Sequence, residues 1–240
     1  MRPADVLDLR RWKLTLPTGR AGDPLELRQP TLRAFAHGTY FRLNSHRGVV
    51  FRAPVEGVTT ENSSYPRTEL REMTADGRRE AAWSSSTGRH VLTVTQAITA
   101  TPRAKPHVVA GQIHDAEDDV VMIRLEGRRL FVESDGDDVG LLDGHYRLGT
   151  RFSVTITASA PGIRIRYTPP RAWRAGGAPK TRVVDVPKAG RGWYFKAGCY
   201  PQSSPERGDR AGAYGEVVIY ALNVQHAAPA APGPGRPAPR

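Results

Sequence analysis

The chain has 240 residues, 39% of them hydrophobic, which is enough for one large all-β domain or two small ones. No run of about 18 apolar residues occurs, so no transmembrane helix is expected, and the single cysteine, Cys199, excludes an intrachain disulfide. The 35 Lys and Arg against 24 Asp and Glu give a net charge of +11. This excess favours a polyanionic partner such as an acidic polysaccharide, a nucleic acid or an anionic membrane.

The predicted elements begin with a short helix over residues 4–9, and strand signals dominate after it. The first five residues carry no apolar segment typical of a signal peptide. We therefore expect a secreted protein whose leader is absent from this chain, with a cytoplasmic location as the alternative. Twelve strands are predicted, at residues 39–43, 48–53, 67–73, 90–98, 108–114, 120–125, 130–133, 152–157, 163–167, 181–186, 193–200 and 214–222.

Turn dipeptides such as Glu126-Gly127 and Asp143-Gly144 separate these segments. About a dozen short strands with few helices predict an all-β fold, a sandwich or jelly roll of two antiparallel sheets. We divide the chain into an N-terminal extension or short helix at 1–11, one domain at 12–225, and a disordered Ala/Pro-rich tail at 226–240. Two basic loops, at 169–180 and 203–212, are candidate lids, and Trp173 in the first is a candidate for stacking on a sugar.

Three strands place polar side chains on one face with a period of two residues. In the strand at 193–200 the apolar face carries Phe195 and Cys199, and the opposite face is polar. If the three strands are neighbours in one sheet, their polar faces form one cationic groove. The period of two residues shows which side chains share a face, but it does not show which strands pair, so their adjacency is an assumption. The polar residues on these faces are Arg67, Glu69 and Arg71; Gln112 and His114; and Tyr194, Lys196, Tyr200 and Gln202.

This set favours proton abstraction next to a carboxylate. The groove has no obvious carboxylate pair for glycoside hydrolysis, and the chain has no nucleophile elbow, phosphate-binding loop or dinucleotide fingerprint. Arginine and an amide can neutralise the carboxylate and stabilise an enolate-like intermediate. His114 or Tyr200 can then remove the proton, and Tyr200 can supply one to the departing oxygen.

The same segments resemble the three signature strands of family 7 polysaccharide lyases, the alginate lyases. The resemblance lies in Tyr194-Phe195-Lys196-Ala197-Gly198-Cys199-Tyr200-Pro201-Gln202, Arg67-Thr68-Glu69-Leu70-Arg71-Glu72 and Gln112-Ile113-His114, and it extends from about Trp12 to about Gln225. It implies a β-jelly-roll sandwich with a cationic groove. It also implies β-elimination of a 1,4-linked uronate chain, with an unsaturated sugar as product and no metal or other cofactor.

Carried over by position, the resemblance implies a role for each groove residue. Arg67, Gln112 and His114 neutralise the substrate carboxylate, His114 is the base for guluronate, and Tyr200 is the acid. For mannuronate, Tyr200 can serve as both base and acid. The isoleucine between Gln112 and His114 is associated in the family with guluronate-containing substrates. Neighbouring sugars are bound by Arg71, Lys196 and Gln202, and Glu69 orients the arginines.

We therefore expect an endo-acting alginate lyase that prefers guluronate-containing blocks and works as a monomer. Its expected partner is an acidic polysaccharide, with no nucleic acid and no membrane. A lyase acting on another polyuronate such as glucuronan is one alternative, and a non-catalytic carbohydrate-binding sandwich is another. The second would not need both His114 and Tyr200. A nucleic-acid binder would show aromatics interleaved with Lys and Arg, or a known binding module, and neither is present.

Overall fold

The computed structural model describes residues 1–61, 63–169 and 181–228, and these form an all-β jelly-roll sandwich. The one α-helix in these residues, α1, is Thr31–Ala34, and short 3₁₀ turns lie at Pro3–Asp5 and Pro205–Arg207. The strands are β1 (Trp12–Arg20), β2 (Asp23–Leu27), β3 (Phe41–Leu43), β4 (Val49–Pro54), β5 (Thr68–Glu72), β6 (Arg89–Ala100), β7 (His107–His114), β8 (Asp119–Glu126), β9 (Arg129–Ser134), β10 (Asp137–Asp143), β11 (Phe152–Ser159), β12 (Gly162–Thr168), β13 (Arg182–Val186), β14 (Tyr194–Pro201) and β15 (Tyr214–Ala227).

The strands form two antiparallel sheets. The first sheet has the order β10-β9-β8-β7-β14-β5-β1-β2, and the second has the order β13-β12-β11-β6-β15-β4-β3. Several neighbours are consecutive strands, but others are distant in the sequence, as in the pairing of β14 with β5 and of β15 with β6. The fold therefore brings together side chains that more than a hundred residues separate.

The hydrophobic core lies between the two sheets. Strand β11 shows how the sequence builds it, because Phe152 and Ile156 are buried while Ser153 and Thr155 on the other face are partly exposed. The facing sheet contributes residues such as Phe195, which is fully buried. Burial of apolar side chains of this size is the main stabilising contribution to a fold of this kind.

All twelve strands predicted from the pattern are present, and three further strands, β1, β2 and β10, were missed. Both faces of β1 are buried, including Lys13 and Thr15, so the polar-apolar alternation carries no exposure signal there. Pro17 and Gly19 within it also read as turn residues. Strand β10 starts with two aspartates and has little apolar bulk.

The helix expected at residues 4–9 is instead a 3₁₀ turn over Pro3–Asp5. Six residues are too few for a stable isolated helix. Leu7 and Leu9, two residues apart, are both buried in the core. None of the helices in the described part of the chain is long and apolar enough to cross a membrane.

The ends and loops differ from the expectation in detail. Strand β15 continues to Ala227, two residues beyond the predicted end of the domain, and the predicted tail from 229 onward lies outside the described residues. The candidate lid at 169–180, with Trp173, lies outside them from 170 onward. The other candidate lid, at 203–212, is tied down: the buried carboxylate of Asp209 accepts the backbone N–H groups of Arg103 and Ala104 at 2.8 and 2.9 Å.

Candidate active site

The three polar strands are neighbours in the first sheet, in the order β7-β14-β5, as the sequence analysis assumed. Lys196 on the central strand lies opposite Gln112 on one side and Arg71 on the other. Arg71 in turn lies opposite Lys13 of β1. One row of polar side chains therefore crosses four strands, and strands about 4.8 Å apart make this row about 14 Å long.

Glu69 is the centre of the groove's charge network. It is 1% exposed. Its carboxylate accepts the Gln112 amide at 2.6 Å, the Lys196 ammonium at 2.8 Å and the Arg67 guanidinium at 3.5 Å. Burial alone would raise the pKa of Glu69, but the charges of Lys196 and Arg67, with hydrogen bonds from Lys196 and Gln112, hold that pKa below its usual value. Glu69 is therefore an anion that fixes three donors in place.

Lys196 is the most strongly perturbed cation of the groove. Its side chain is nearly buried. Burial and the charges of Arg67 and Arg71 lower the pKa of Lys196 to about 8, against the opposing attraction of Glu69. Two cations near one buried carboxylate leave positive charge uncompensated, which suits an anionic ligand.

His114 has hydrogen-bond partners at one ring nitrogen, Nδ1, and none at Nε2 within the part of the chain that the structure describes. Its Nδ1 lies 2.6 Å from the carbonyl oxygen of Asp115, which can only accept, so Nδ1 carries the proton. The Tyr194 hydroxyl lies 3.1 Å from the same nitrogen. Burial and the charge of Lys196 lower the pKa of His114, although the Asp115 carbonyl opposes this. The neutral ring therefore keeps the lone pair of Nε2 for accepting a proton.

Tyr200 is held between a cation and a hydroxyl. The guanidinium carbon of Arg67 lies 3.9 Å from the centre of the Tyr200 ring, and the phenol oxygen lies 3.0 Å from Ser63 Oγ. The pairing of β14 with β7 shifts by one residue between Lys196 and Tyr200, a bulge that re-aims the side chains beyond it. The structure thus holds an acid candidate on β14 in the same groove as the neutral imidazole of β7.

Gly198 makes this bulge possible. Its φ is +148°, and a Cβ there would lie 2.5 Å from the Thr68 carbonyl oxygen and 2.7 Å from the Glu69 Cα. The backbone that approaches this glycine closely is that of the neighbouring strand β5. A side chain at this position would push β5 and Glu69 away from Lys196.

Arg71 and Gln202 are the two remaining sugar-binding candidates from the sequence. Arg71 lies over the Tyr194 ring at 3.9 Å, and its guanidinium is 3.2 Å from Glu80, a residue with no role in the sequence analysis. Gln202 follows the end of β14 and is almost fully buried; its backbone N–H donates to the His107 carbonyl at 3.0 Å. Its side-chain nitrogen is buried and has no hydrogen-bond partner among the described residues.

Comparison with known proteins identifies the family. The protein-family model described as Alginate lyase matches residues 7–226. The chain belongs to the alginate lyase family. Among solved structures it resembles the alginate lyase AlgAT5 from polysaccharide lyase family 7, with 48% identity, a TM-score of 0.85, and coverage of 95% of this chain and 99% of that chain.

Two further structures extend the comparison within the alginate lyase family. The alginate lyase from Corynebacterium sp. is 40% identical with a TM-score of 0.83, covering 94% of this chain and 98% of that one. The family 7 alginate lyase A1-II′, with a histidine and a tyrosine replaced and in complex with substrate (GGMG), is 25% identical with a TM-score of 0.76, covering 96% and 98%. Membership of this family supports alginate lyase activity.

The sequence pattern did not identify every residue that shapes the site. Ser63 lies five residues before the first residue of β5, in an irregular segment, and periodicity says nothing about such a position. The pattern placed Tyr194 on the groove face but could not show its contact with His114. Glu80 reaches Arg71 from the connection after β5, which only the fold reveals.

A second buried network lies behind the groove, on the core face of the same strands. Glu72 is fully buried and accepts the Trp83 indole N–H at 2.9 Å, the Phe195 backbone N–H at 3.0 Å and the His226 ring at 2.5 Å. His226 and His90, to which the sequence analysis assigned no role, lie 2.7 Å apart at their Nδ1 atoms. This network joins β5 and β14 to β6 and β15, across the two sheets.

Among the described residues, no group of three or more His, Cys, Asp or Glu side chains is arranged to hold a metal ion. The thiol of Cys199 is fully buried, on the core face of β14, and burial raises its pKa well above the ordinary value. It therefore packs as a small apolar side chain.

Proposed function

We propose that this member of the alginate lyase family cleaves the 1,4-linked uronate chain by β-elimination, acts within the chain, and prefers guluronate-containing blocks. The observation that carries this proposal is the state of His114. Its Nδ1 proton is held by a backbone carbonyl, and its Nε2 lone pair is free in a groove of cations and amides. A neutral base beside donors that neutralise a carboxylate is what elimination from a uronate requires.

The first step is neutralisation of the substrate carboxylate by Arg67 and Gln112. Glu69 holds both donors from behind, at 3.5 and 2.6 Å, so their remaining N–H groups are oriented before the substrate arrives. Donors that need no rearrangement stabilise developing charge most effectively. As the C5 proton leaves, the charge that moves onto the carboxylate is met by these groups.

The second step moves two protons. The C5 proton passes to Nε2 of His114, the C4–O bond breaks as the C4=C5 bond forms, and the leaving oxygen takes the proton of the Tyr200 hydroxyl. In guluronate the C5 proton and the leaving oxygen lie on opposite sides of the ring, so the base and the acid must be different groups. The burial that lowers the pKa of His114 keeps this base in its neutral form.

The preference for guluronate rests on this division of labour and on Ile113. That isoleucine is fully buried and faces the core, so it acts on the groove only through the backbone of β7. Cleavage within the chain is supported by the row of Gln112, Lys196, Arg71 and Lys13. A row about 14 Å long can hold carboxylates on several successive sugars.

The test is incubation of the purified protein with polyguluronate, polymannuronate and glucuronan, following the ultraviolet absorbance of the new C=C bond. The proposal predicts the fastest rise with polyguluronate and early products of mixed length. No rise with any of the three polymers would contradict lyase activity on them. A faster rise with glucuronan would overturn the substrate, and release of a single product size from the start would overturn action within the chain.

A further inference from the structure

Ser63 connects the acid candidate to the arginine that faces it. Its Oγ lies 2.8 Å from Arg67 Nη2, 3.0 Å from the Tyr200 hydroxyl and 3.0 Å from the Tyr65 carbonyl oxygen. Arg67 also lies over the Tyr200 ring, so the cation, the phenol and this hydroxyl form one compact group. The side chain of Ser63 is the only one among the described residues with a hydrogen bond to the Tyr200 oxygen.

The chemistry of the partners limits the direction of each hydrogen bond. A guanidinium and a backbone N–H can only donate, and a carbonyl can only accept. Ser63 Oγ therefore accepts from Arg67 Nη2 at 2.8 Å and from the Tyr65 backbone N–H at 3.3 Å, which occupies both of its lone pairs. Its single proton has two acceptors within reach, the Tyr65 carbonyl oxygen and the Tyr200 oxygen, each 3.0 Å away.

We propose that Ser63 is a positioning residue for proton donation by Tyr200, a role that rests on the proposed function. When the Tyr200 oxygen gives its proton to the leaving sugar oxygen, the Ser63 hydroxyl turns from the Tyr65 carbonyl and donates to the phenolate. The proton count balances: one proton passes from phenol to sugar, Ser63 keeps its own, and solvent later restores the phenol.

The stabilisation that Ser63 provides during the reaction comes from the change in charge on the Tyr200 oxygen. A hydrogen bond to an ionised acceptor is about twice as strong as a neutral one, so the Ser63 hydroxyl stabilises the phenolate more than the phenol. Arg67 keeps Ser63 in place through this change, because it donates to Oγ in both states. An interaction that strengthens along the reaction raises kcat and leaves ground-state binding largely unchanged.

The experiment compares Ser63→Ala, Ser63→Thr and the matched control Ser64→Ala on polyguluronate. Ser64 is exposed and makes no side-chain hydrogen bond within the described residues. Loss of a hydrogen bond to a charged group predicts that Ser63→Ala lowers kcat by about 10- to 100-fold, with KM little changed and a larger solvent deuterium isotope effect on kcat. Ser63→Thr, which restores the hydroxyl, should recover most of the rate, and Ser64→Ala should match the wild type.

Three other outcomes would contradict the positioning role of Ser63. An unchanged kcat and isotope effect in Ser63→Ala would show that Tyr200 needs no such partner. A rise in KM alone would place Ser63 in substrate binding through Arg67, and equal losses in Ser63→Ala and Ser64→Ala would indicate a general effect on the loop. Ser63→Cys, of similar size, replaces Ser63→Ala if the latter does not fold. A wild-type protein inactive on all three polymers would instead refute the proposed function itself.

Discussion

Two buried carboxylates on strand β5, Glu69 and Glu72, lie three residues apart and face opposite sides of the first sheet. Glu69 faces the groove, where its partners are the two cations Arg67 and Lys196 and the amide of Gln112. Glu72 faces the core and accepts from an indole, a backbone N–H and the His226 ring. Neither could be buried without such partners.

The two carboxylates differ in the charge that surrounds them and in the role of their hydrogen-bonding partners. Around Glu69, two cations are paired with one anion. Around Glu72 every partner is consumed in joining strands. His90 donates from Nε2 to the Ser84 carbonyl at 2.9 Å, so its Nδ1 accepts from His226. His226 Nε2 lies 2.5 Å from the Glu72 carboxylate, so a chain of hydrogen bonds runs from Ser84 to Glu72.

The largest expected effect is on activity, from Glu69→Gln. The substitution releases Arg67 and Lys196 from their common anion and lets the Gln112 amide turn. Because removal of one preorganised donor typically costs about 10²- to 10³-fold in kcat, we expect at least this loss in the ultraviolet assay. Glu72→Gln is the matched control, since it makes the same chemical change on the other face. Equal losses of kcat in the two folded variants would break the distinction between the faces.

The second prediction concerns stability, and here Glu72→Gln, the control of the first prediction, is the variant expected to change. Glu72→Gln replaces one of the two acceptor oxygens that bond Trp83, Phe195 and His226 by an NH2 donor and removes the negative charge, and breaking a buried charged pair costs about 3 kcal/mol or more. Chemical denaturation should show this loss, while the folded variant keeps near-normal kcat. His226→Gln should be destabilised as well, and combining the two should cost less than the sum of the single changes. Full additivity would show that the two residues act separately.

The third prediction is a loss of substrate affinity above about pH 8. The pKa of Lys196 is lowered to about 8 from 10.5, mainly by burial, so its charge is present below that pH and lost above it. Because the pKa of Lys196 is lower in the folded than in the unfolded protein, raising the pH between these two values stabilises the folded state. Unfolding caused by Lys196 therefore does not explain the loss of substrate affinity. KM should therefore rise through this window, and Lys196→Arg should remove the rise. A rise that persists in Lys196→Arg would assign it to another group.

The smallest expected effect concerns Glu80, which pairs with cations of the groove. Glu80 pairs with Arg71 at 3.2 Å and with Lys13 at 2.8 Å, so a protein carboxylate competes for the cations that the substrate needs. Glu80→Gln should lower KM by about two- to fivefold, the range expected for a partly exposed ion pair, with kcat unchanged. Glu26→Gln, which removes one of the two carboxylates paired with Lys13 and leaves the pair of Glu80 with Arg71 intact, is the control. A higher KM in Glu80→Gln would show that Glu80 supports the groove.

The sequence could predict which residues face the groove, because a period of two residues depends only on the local strand. It could also predict the fold class from the number of strands and turns. It could not show that Glu69 is buried under three donors, since that depends on β7, β14 and β5 lying side by side. The network of Glu72, His226 and His90 was missed for the same reason: 154 residues separate Glu72 from His226. Ser63 lies outside any strand, where no pattern applies.

Formation of the C=C bond on polyguluronate, measured side by side for the wild type, His114→Ala and Tyr200→Phe, tests the central claim most directly. We predict a steady rise in ultraviolet absorbance for the wild type. Because a positioned acid or base contributes about 10²- to 10⁴-fold, each variant should be slower by that factor, with an unfolding temperature near that of the wild type. No rise for the wild type, or a near-normal rate in either folded variant, would contradict the assignment of His114 as base and Tyr200 as acid.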